Sequence, residues 1–367
     1  MRNLHSTAAG PAAPSSAGIR ILAYLVVLAS SLVFSQDSAW AQGALPELLW
    51  VRVEDRATSV WLATDSQGNV ITMARERDHG HTALIKHDRD GNRLWRKEIE
   101  SYNTLGMTVA PEDAIVGLID SVVVKLTSEG EIQWITSLGR EIYPARICCD
   151  RFGNIFVVGR WWSIATVKLS PAGEILWRRD DWALGGTACG ADGQGNVIVG
   201  GFDLVGGWYD SWIVKYDPEG EELWVRTYGG PYDDEPSDIC VDGDDNIYVS
   251  GGWLVKYDPE GNVIWENPTS DFGFGCLSYD GEGNIYASGW MRVGDGWYPG
   301  WGCFDLEGRS IWAMGGLNGC DGGSHFPSCS GADRVAVLQT LRDVDQAITT
   351  LYMLPSARAE RHGDTRR

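Results

Sequence analysis

The sequence has no apolar stretch long enough to span a bilayer as a helix. The longest candidate, Ile21 to Phe34, is 14 residues, against about 20 needed. It contains no G-x-S-x-G elbow, no P-loop and no H-E-x-x-H pair, so the usual motif-borne routes to acyl transfer, nucleotide hydrolysis and zinc peptidase chemistry are missing. Positive charge is in short supply: 30 Lys and Arg stand against 50 Asp and Glu, for a formal net charge of −20. Such a surface repels phosphate backbones and anionic lipid, which excludes nucleic acid as the main partner. Histidine is scarce, with 6 in the chain. His79-Gly80-His81 beside Asp78 has no third ligand nearby and reads as a solvated loop, and His325 is similarly isolated. The run Asp242-Gly243-Asp244-Asp245-Asn246 lacks the EF-hand glycine and distal Glu, so it reads as a turn rather than a calcium loop. No metal, cofactor or catalytic residue is expected from these features.

Glycine and tryptophan are plentiful, at 46 and 18. Seven of the tryptophans, Trp50, Trp95, Trp134, Trp177, Trp224, Trp265 and Trp312, return at spacings of 39 to 47 residues. Each closes a phrase such as Asp258-Pro259-Glu260-Gly261-Asn262-Val263-Ile264-Trp265. A period of 40-odd residues in a Gly-rich chain of short β-branched segments predicts a β-propeller, one blade per repeat.

One repeat shows the grammar. Ser237–Val241 reads as a strand, Asp242–Asn246 as a turn and Ile247–Gly251 as a second strand. Trp253–Tyr257 reads as a third strand, Asp258–Gly261 as a turn and Asn262–Trp265 as a fourth strand. Asp caps its own turn, Pro presets φ, and Gly or Asn accepts positive φ. The first turn recurs at Asp65, Asp150, Asp192, Asp242 and Asp280. Two units, at Pro111–Ala114 and Gly331–Arg334, have lost it but keep flanking strands.

The ends are complementary. A lone fourth strand, Glu47–Trp50, opens the body, and three strands ending near Leu354 close it without a Trp. The expected fold is therefore an all-β, seven-bladed propeller of four-stranded blades, closed by an N-terminal outer strand that completes the C-terminal blade and removes the free edges. The seven Trp are expected to be structural, each costing about 3–5 kcal/mol when truncated. Lys86, Lys125, Lys168, Lys215 and Lys256 share one phase and are read as structural stems.

Residues 1–41 read as a secretory signal peptide: Arg2 and Arg20 precede the apolar run, and Ala39-Trp40-Ala41 gives an A-x-A cleavage site. No Cys lies in this leader, so a lipid anchor is not expected. The propeller is assigned to residues 42–355, and 356–367 to a disordered basic tail. The expected product is a secreted, periplasmic or cell-surface monomer without a membrane span. Of the 8 Cys, Cys148 and Cys240 occupy a phase, two residues before the turn Asp, where every unit carries a small residue. They read as buried small side chains. Cys320 and Cys329 lie in a Gly-rich insert, where they either bridge or stay free.

The stretch Thr227–Glu235, with Asp238–Asp242, Asn246–Gly251 and Val255–Asp258, resembles the bacterial β-propeller repeat family often called SBBP. The likeness is strongest from Asp192 to Trp265 and recognisable from Trp50 to Leu354. It implies an exported bacterial propeller and carries over no catalytic residue.

Residues that recur at one phase serve the blade, so those that do not recur are the candidates for a ligand. Connections between second and third strands carry Trp161, Trp162, Trp208, Tyr209, Trp253, Trp290, Trp297 and Tyr298, and one blade-to-blade connection carries Tyr232, Asp233, Asp234 and Glu235. Both connection types emerge on one face of a propeller. Aromatic faces beside carboxylates suit sugars and cationic groups, so a binding or scaffolding module for a glycan or a basic peptide or protein is expected. The same Trp also read as packing between blade tops. The alternative is an exported enzyme on the same face, glycan-active or quinoprotein-like. For the latter, Asp217…Gly220…Trp224 is one residue too tight, lacks the Thr before Gly, and belongs to seven units rather than eight.

Overall fold

The computed structural model describes residues 50–355, apart from 56, 77–80, 102, 140–141, 161–162, 230–232, 268–271, 294, 316–324, 331–333 and 343–346. Side chains of residues 50–60, 76, 293, 298–299 and 314 onward also lie outside the description. The leader, its cleavage site, the basic tail and Cys320 are therefore outside the described residues, and Cys329 is described only as backbone. No described helix is long and apolar enough to cross a membrane.

The described chain is built of four-stranded antiparallel sheets, and the one helical element is the 3-10 turn Pro111–Asp113. Six sheets are continuous in sequence: sheet I (57–100), II (104–137), III (143–181), IV (185–228), V (238–267) and VI (272–315). In each the spatial order of strands is the chain order. Sheet VII draws on both ends of the body. His325–Ser330, Arg334–Arg342 and Ala347–Pro355 are followed in space by Trp50–Asp55. Trp50 pairs with Met353 and Asp55 with Ile348. A closing strand thus pairs with Ala347–Pro355, but it spans Trp50–Asp55; of the expected Glu47–Trp50, only Trp50 falls within it. Glu47–Leu49 lie outside the described residues.

The first strands pack against one another from sheet to sheet, and that of sheet VII packs against that of sheet I. They are therefore the inner strands. The fourth strands carry alternating exposed residues such as Leu94, Ile135, Leu176 and Leu223 and face outward. The core lies between sheets. Ile213 and Trp224 of sheet IV, for instance, pack with Ile239, Val249 and Val255 of sheet V.

The turn after each inner strand shows why Asp, Gly and Asn recur. Asp192 Oδ1 accepts from the amides of Gln194 (2.9 Å) and Asn196 (2.9 Å), and its Oδ2 accepts from Asn196 Nδ2 (2.7 Å). Gly195 turns the chain at φ 86°, a conformation that disfavours other residues. In sheet V, Asp245 takes the glycine's place at φ 63°, and its carboxylate accepts from Gly193 N at 2.6 Å. In sheet II the shortened turn puts Glu112 and Asp113 at φ 63° and 57°, yet both flanking strands form, as the sequence implied.

The phase-locked Lys and Trp make one device. Lys215 Nζ and Trp224 Nε1 both donate to Pro259 O at 3.0 Å, in the third-to-fourth turn of the next sheet. The same two donors meet Ser128 O from sheet I, Pro171 O from sheet II, Pro218 O from sheet III and Leu306 O from sheet V. The Lys also reaches back to the turn Asp of its own sheet: Lys86–Asp65 at 2.8 Å, Lys215–Asp192 at 2.9 Å and Lys256–Asp242 at 3.4 Å. The five Lys therefore serve the fold. Trp312 is buried, and the side chain of Trp50 lies outside the description.

Candidate functional site

In an antiparallel sheet with sequential strands, the second-to-third hairpin and the link to the next sheet leave from one end, and the two Asp-Gly turns from the other. The exposed aromatics sort by end. Tyr143, Trp182, Trp208, Tyr209, Trp290 and Trp297 are exposed and lie at the hairpin-and-link end. Phe152 is the exposed aromatic of the turn end among the described residues.

Sheet IV carries a long hairpin at that end. Its middle strands, Val197–Val205 and Trp208–Tyr216, run nine residues each and reverse at Gly206 and Gly207, with φ of 63° and 100°. That turn sets Val205 opposite Trp208, Leu204 opposite Tyr209 and Asp203 opposite Asp210. Tyr209 packs edge-on against Phe202, centroids 5.2 Å apart. The acidic link is clipped to this hairpin. Tyr209 N donates to Asp233 Oδ1 at 3.0 Å, Asp234 N to Tyr209 O at 2.6 Å, and Ser211 Oγ to Asp234 O. The predicted acidic link thus meets the backbone of the predicted aromatic hairpin here. Burial, then the Asp233 charge, holds the Glu235 carboxyl above the usual carboxylate range.

Sheet V corrects one expectation. Trp253 was placed with the exposed aromatics, but it is only 6% exposed. It lies against Tyr228, with ring centroids 4.4 Å apart, in the core with Ile239 and Val255. The cause is hairpin length: strands Ile247–Ser250 and Leu254–Tyr257 leave only Gly251–Trp253 between them, so the indole is held in the core between sheets IV and V. Burial, then Glu266, pushes the Tyr228 hydroxyl up to about 12.

In sheet VI the strands are long again, Asn284–Val293 and Gly296–Asp305. Trp297 pairs with Arg292 and Trp290 with Pro299, and both indoles are roughly half exposed. Trp297 shares the end with the acidic link but stands two sheets further round. Tyr298 is described only as backbone, and Trp161, Trp162 and Tyr232 lie outside the described residues. Sequence reasoning passed over Tyr143 and Trp182, the latter 98% exposed in the link from sheet III to IV. Neither recurs at a fixed phase, which was the available signal.

The axial space has a chemistry of its own. A cavity of about 290 Å³ is lined by inner strands of sheets I to VI. Four residues before the turn stand Trp61, Arg146, Asp238 and Cys276 in sheets I, III, V and VI. The Arg146 guanidinium lies 4.9 Å from the Trp61 ring centroid, and its Nη2 donates to Ser237 O at 3.4 Å. Asp238 accepts from the amides of Ile239 (3.0 Å) and Leu277 (2.9 Å). Burial raises its carboxyl, against the pull of Arg146. Among the described residues no group of three or more His, Cys, Asp or Glu is disposed to hold a metal ion.

No family model matches the sequence, and no curated protein does. Solved structures do resemble it. A streptogramin B lyase aligns over 82% of this chain and 98% of its own, with a TM-score of 0.58 and 13% identity. The virginiamycin B lyase of Staphylococcus aureus aligns over 82% and 99%, with a TM-score of 0.54 and 11% identity. At such identity the likeness establishes the fold, and this chain is a β-propeller-like repeat protein.

Proposed function

We propose that this chain is an exported, seven-bladed β-propeller of the SBBP type that works as a binding module. Its ligand, a neutral glycan or a cationic peptide segment, lies on the aromatic and acidic end of the ring. Support for seven blades comes from the fourth-strand pairing of Trp50–Asp55 with Ala347–Pro355, which completes the seventh four-stranded sheet. The observation that carries the function is the clip between Tyr209 and the 233–235 link. It fixes the Asp233 carboxylate on the hairpin that carries the exposed Trp208. Indole faces offer apolar area to sugar C–H groups and π density to cations, and carboxylates accept from hydroxyls or pair with ammonium groups.

The solved lyases share the fold with this chain, and an exported enzyme on the same end is the second reading. Binding and catalysis separate in one experiment. A panel of neutral oligosaccharides and Lys/Arg-rich peptides is titrated against the full chain and against Trp208→Ala, Trp297→Ala and the pair. Saturable binding that weakens about tenfold or more in the pair, with unchanged thermal midpoint, supports the module. Turnover of a bound probe moves the assignment to an enzyme. Binding of neither class, or binding indifferent to both indoles, overturns the proposal.

A further inference from the structure

The inner strands meet in a repeated way. The residue two before the turn in one sheet faces the residue three before the turn in the next. Cys240 of sheet V packs in one cluster with Leu277 of sheet VI. At Gly190 of sheet IV, a Cβ would stand 2.9 Å from Ile239 Cγ2 and 3.6 Å from Ile239 Cβ of sheet V. This is why the phase favours small residues, with Val109 the counterpart in sheet II: the crowding comes from the neighbouring inner strand. The junction between sheets III and IV places Cys148 and Cys189 at these same two phases. The two thiols face each other in the cluster built on Phe156, Val158 and Val199. Both are free in the structure. A separation near 3.6 Å between Cβ atoms, as at the equivalent junction, lies within the span of roughly 3.5–4.5 Å that a disulfide bridges.

We propose that Cys148 and Cys189 form a disulfide that staples the inner strands of sheets III and IV beside the axial cavity, which Cys189 lines. Each thiol gives up its proton, the sulfurs join, and the two electrons reduce a disulfide oxidant, such as oxidised glutathione, to two thiols. Burial pushes the Cys148 thiol well above its ordinary range. The thiolate that attacks is therefore suppressed once the sheets have packed, and the bond forms as they assemble.

The test folds the full chain in vitro in a glutathione redox buffer, so its outcome does not depend on the cellular compartment. Free thiols are alkylated under denaturing conditions and the tryptic peptides mapped. Residues 147–151 hold Cys148 and Cys149, and residues 180–215 hold Cys189. Using Cys149→Ser leaves one thiol in the first peptide. The expected result is a reducible cross-link between the two peptides and a fall in the thermal midpoint on reduction, on the order of 5 °C. That fall should vanish in Cys148→Ser/Cys149→Ser/Cys189→Ser. Alkylation of both Cys148 and Cys189, or either one joined to a different cysteine, overturns the staple.

Discussion

Lys215 touches both its own sheet and the next, and it shows how a repeated cation supports a ring. Its Nζ lies 2.9 Å from the buried Asp192 carboxylate, with both side chains almost fully enclosed. Removing one partner of such a pair leaves a buried charge uncompensated and costs about 3–5 kcal/mol. Lys215→Met should lose that much in urea unfolding. Lys125 donates to Pro171 O in an exposed setting, in the sheet whose turn has no Asp at that phase. Lys125→Met should lose only about 1 kcal/mol. Equal losses would contradict the latch.

The same pairs set the acid limit. Burial works to raise Asp65, Asp192 and Asp242, but it is outweighed by hydrogen bonds from Lys86 and Lys215, then the turn Asn, at the first two, and from the turn Asn at Asp242. All three are held below the ordinary carboxylate range. A depressed carboxyl contributes stability that is fully present above its unfolded value of about 3.9 and lost as pH falls through its folded value. The urea midpoint should hold from pH 7 to 5 and drop below about pH 4. Asp181, Glu235 and Asp238 are held high, first by burial, and act in the opposite sense at higher pH. A midpoint that rises as pH falls from 7 to 5 would shift the weight to them.

Among the elements, the strand Trp50–Asp55 matters most, because the chain's two ends meet there. It pairs along its whole length with Ala347–Pro355, Val53 opposite Thr350. Deleting residues 42–55 should abolish the cooperative thermal transition or lower its midpoint by 10 °C or more, on the order of several kcal/mol. An unchanged midpoint would contradict closure. This element was legible because a repeat leaves an unpaired remainder at each end, and sheet edges must be covered. The turns were legible for the same reason as Gly195 and Asp192: few residues take those dihedrals and bonds. Hairpin length was not legible. The reversals at Gly206-Gly207 and at Gly251–Trp253 look alike in sequence, yet strands of nine residues and of four flank them. That difference exposes Trp208 and buries Trp253. The Arg146–Asp238 relation across the axis was also hidden, since 92 residues separate them and only closure of the ring brings them near.

For the whole molecule, the division of aromatics between the two ends of the ring is the feature the account depends on. Scaffold and ligand residues should part company in mutation. Trp224→Ala removes a buried indole that donates to Pro259 O and should cost about 3–5 kcal/mol of stability. Trp182→Ala, at a site 98% exposed, should leave the midpoint within about 1 °C while weakening ligand binding. The reverse pattern would mean that the exposed indoles are scaffold too.

Hydrogen exchange on the full chain, with and without a saturating neutral oligosaccharide or Lys/Arg-rich peptide, reads the face directly. The account predicts added protection at the hairpin and links of the aromatic end, residues 182–184, 203–211, 233–237 and 290–297, and none at the turns 65–69, 150–154 and 192–196. Protection concentrated at those turns, with the aromatic end unchanged, would contradict it.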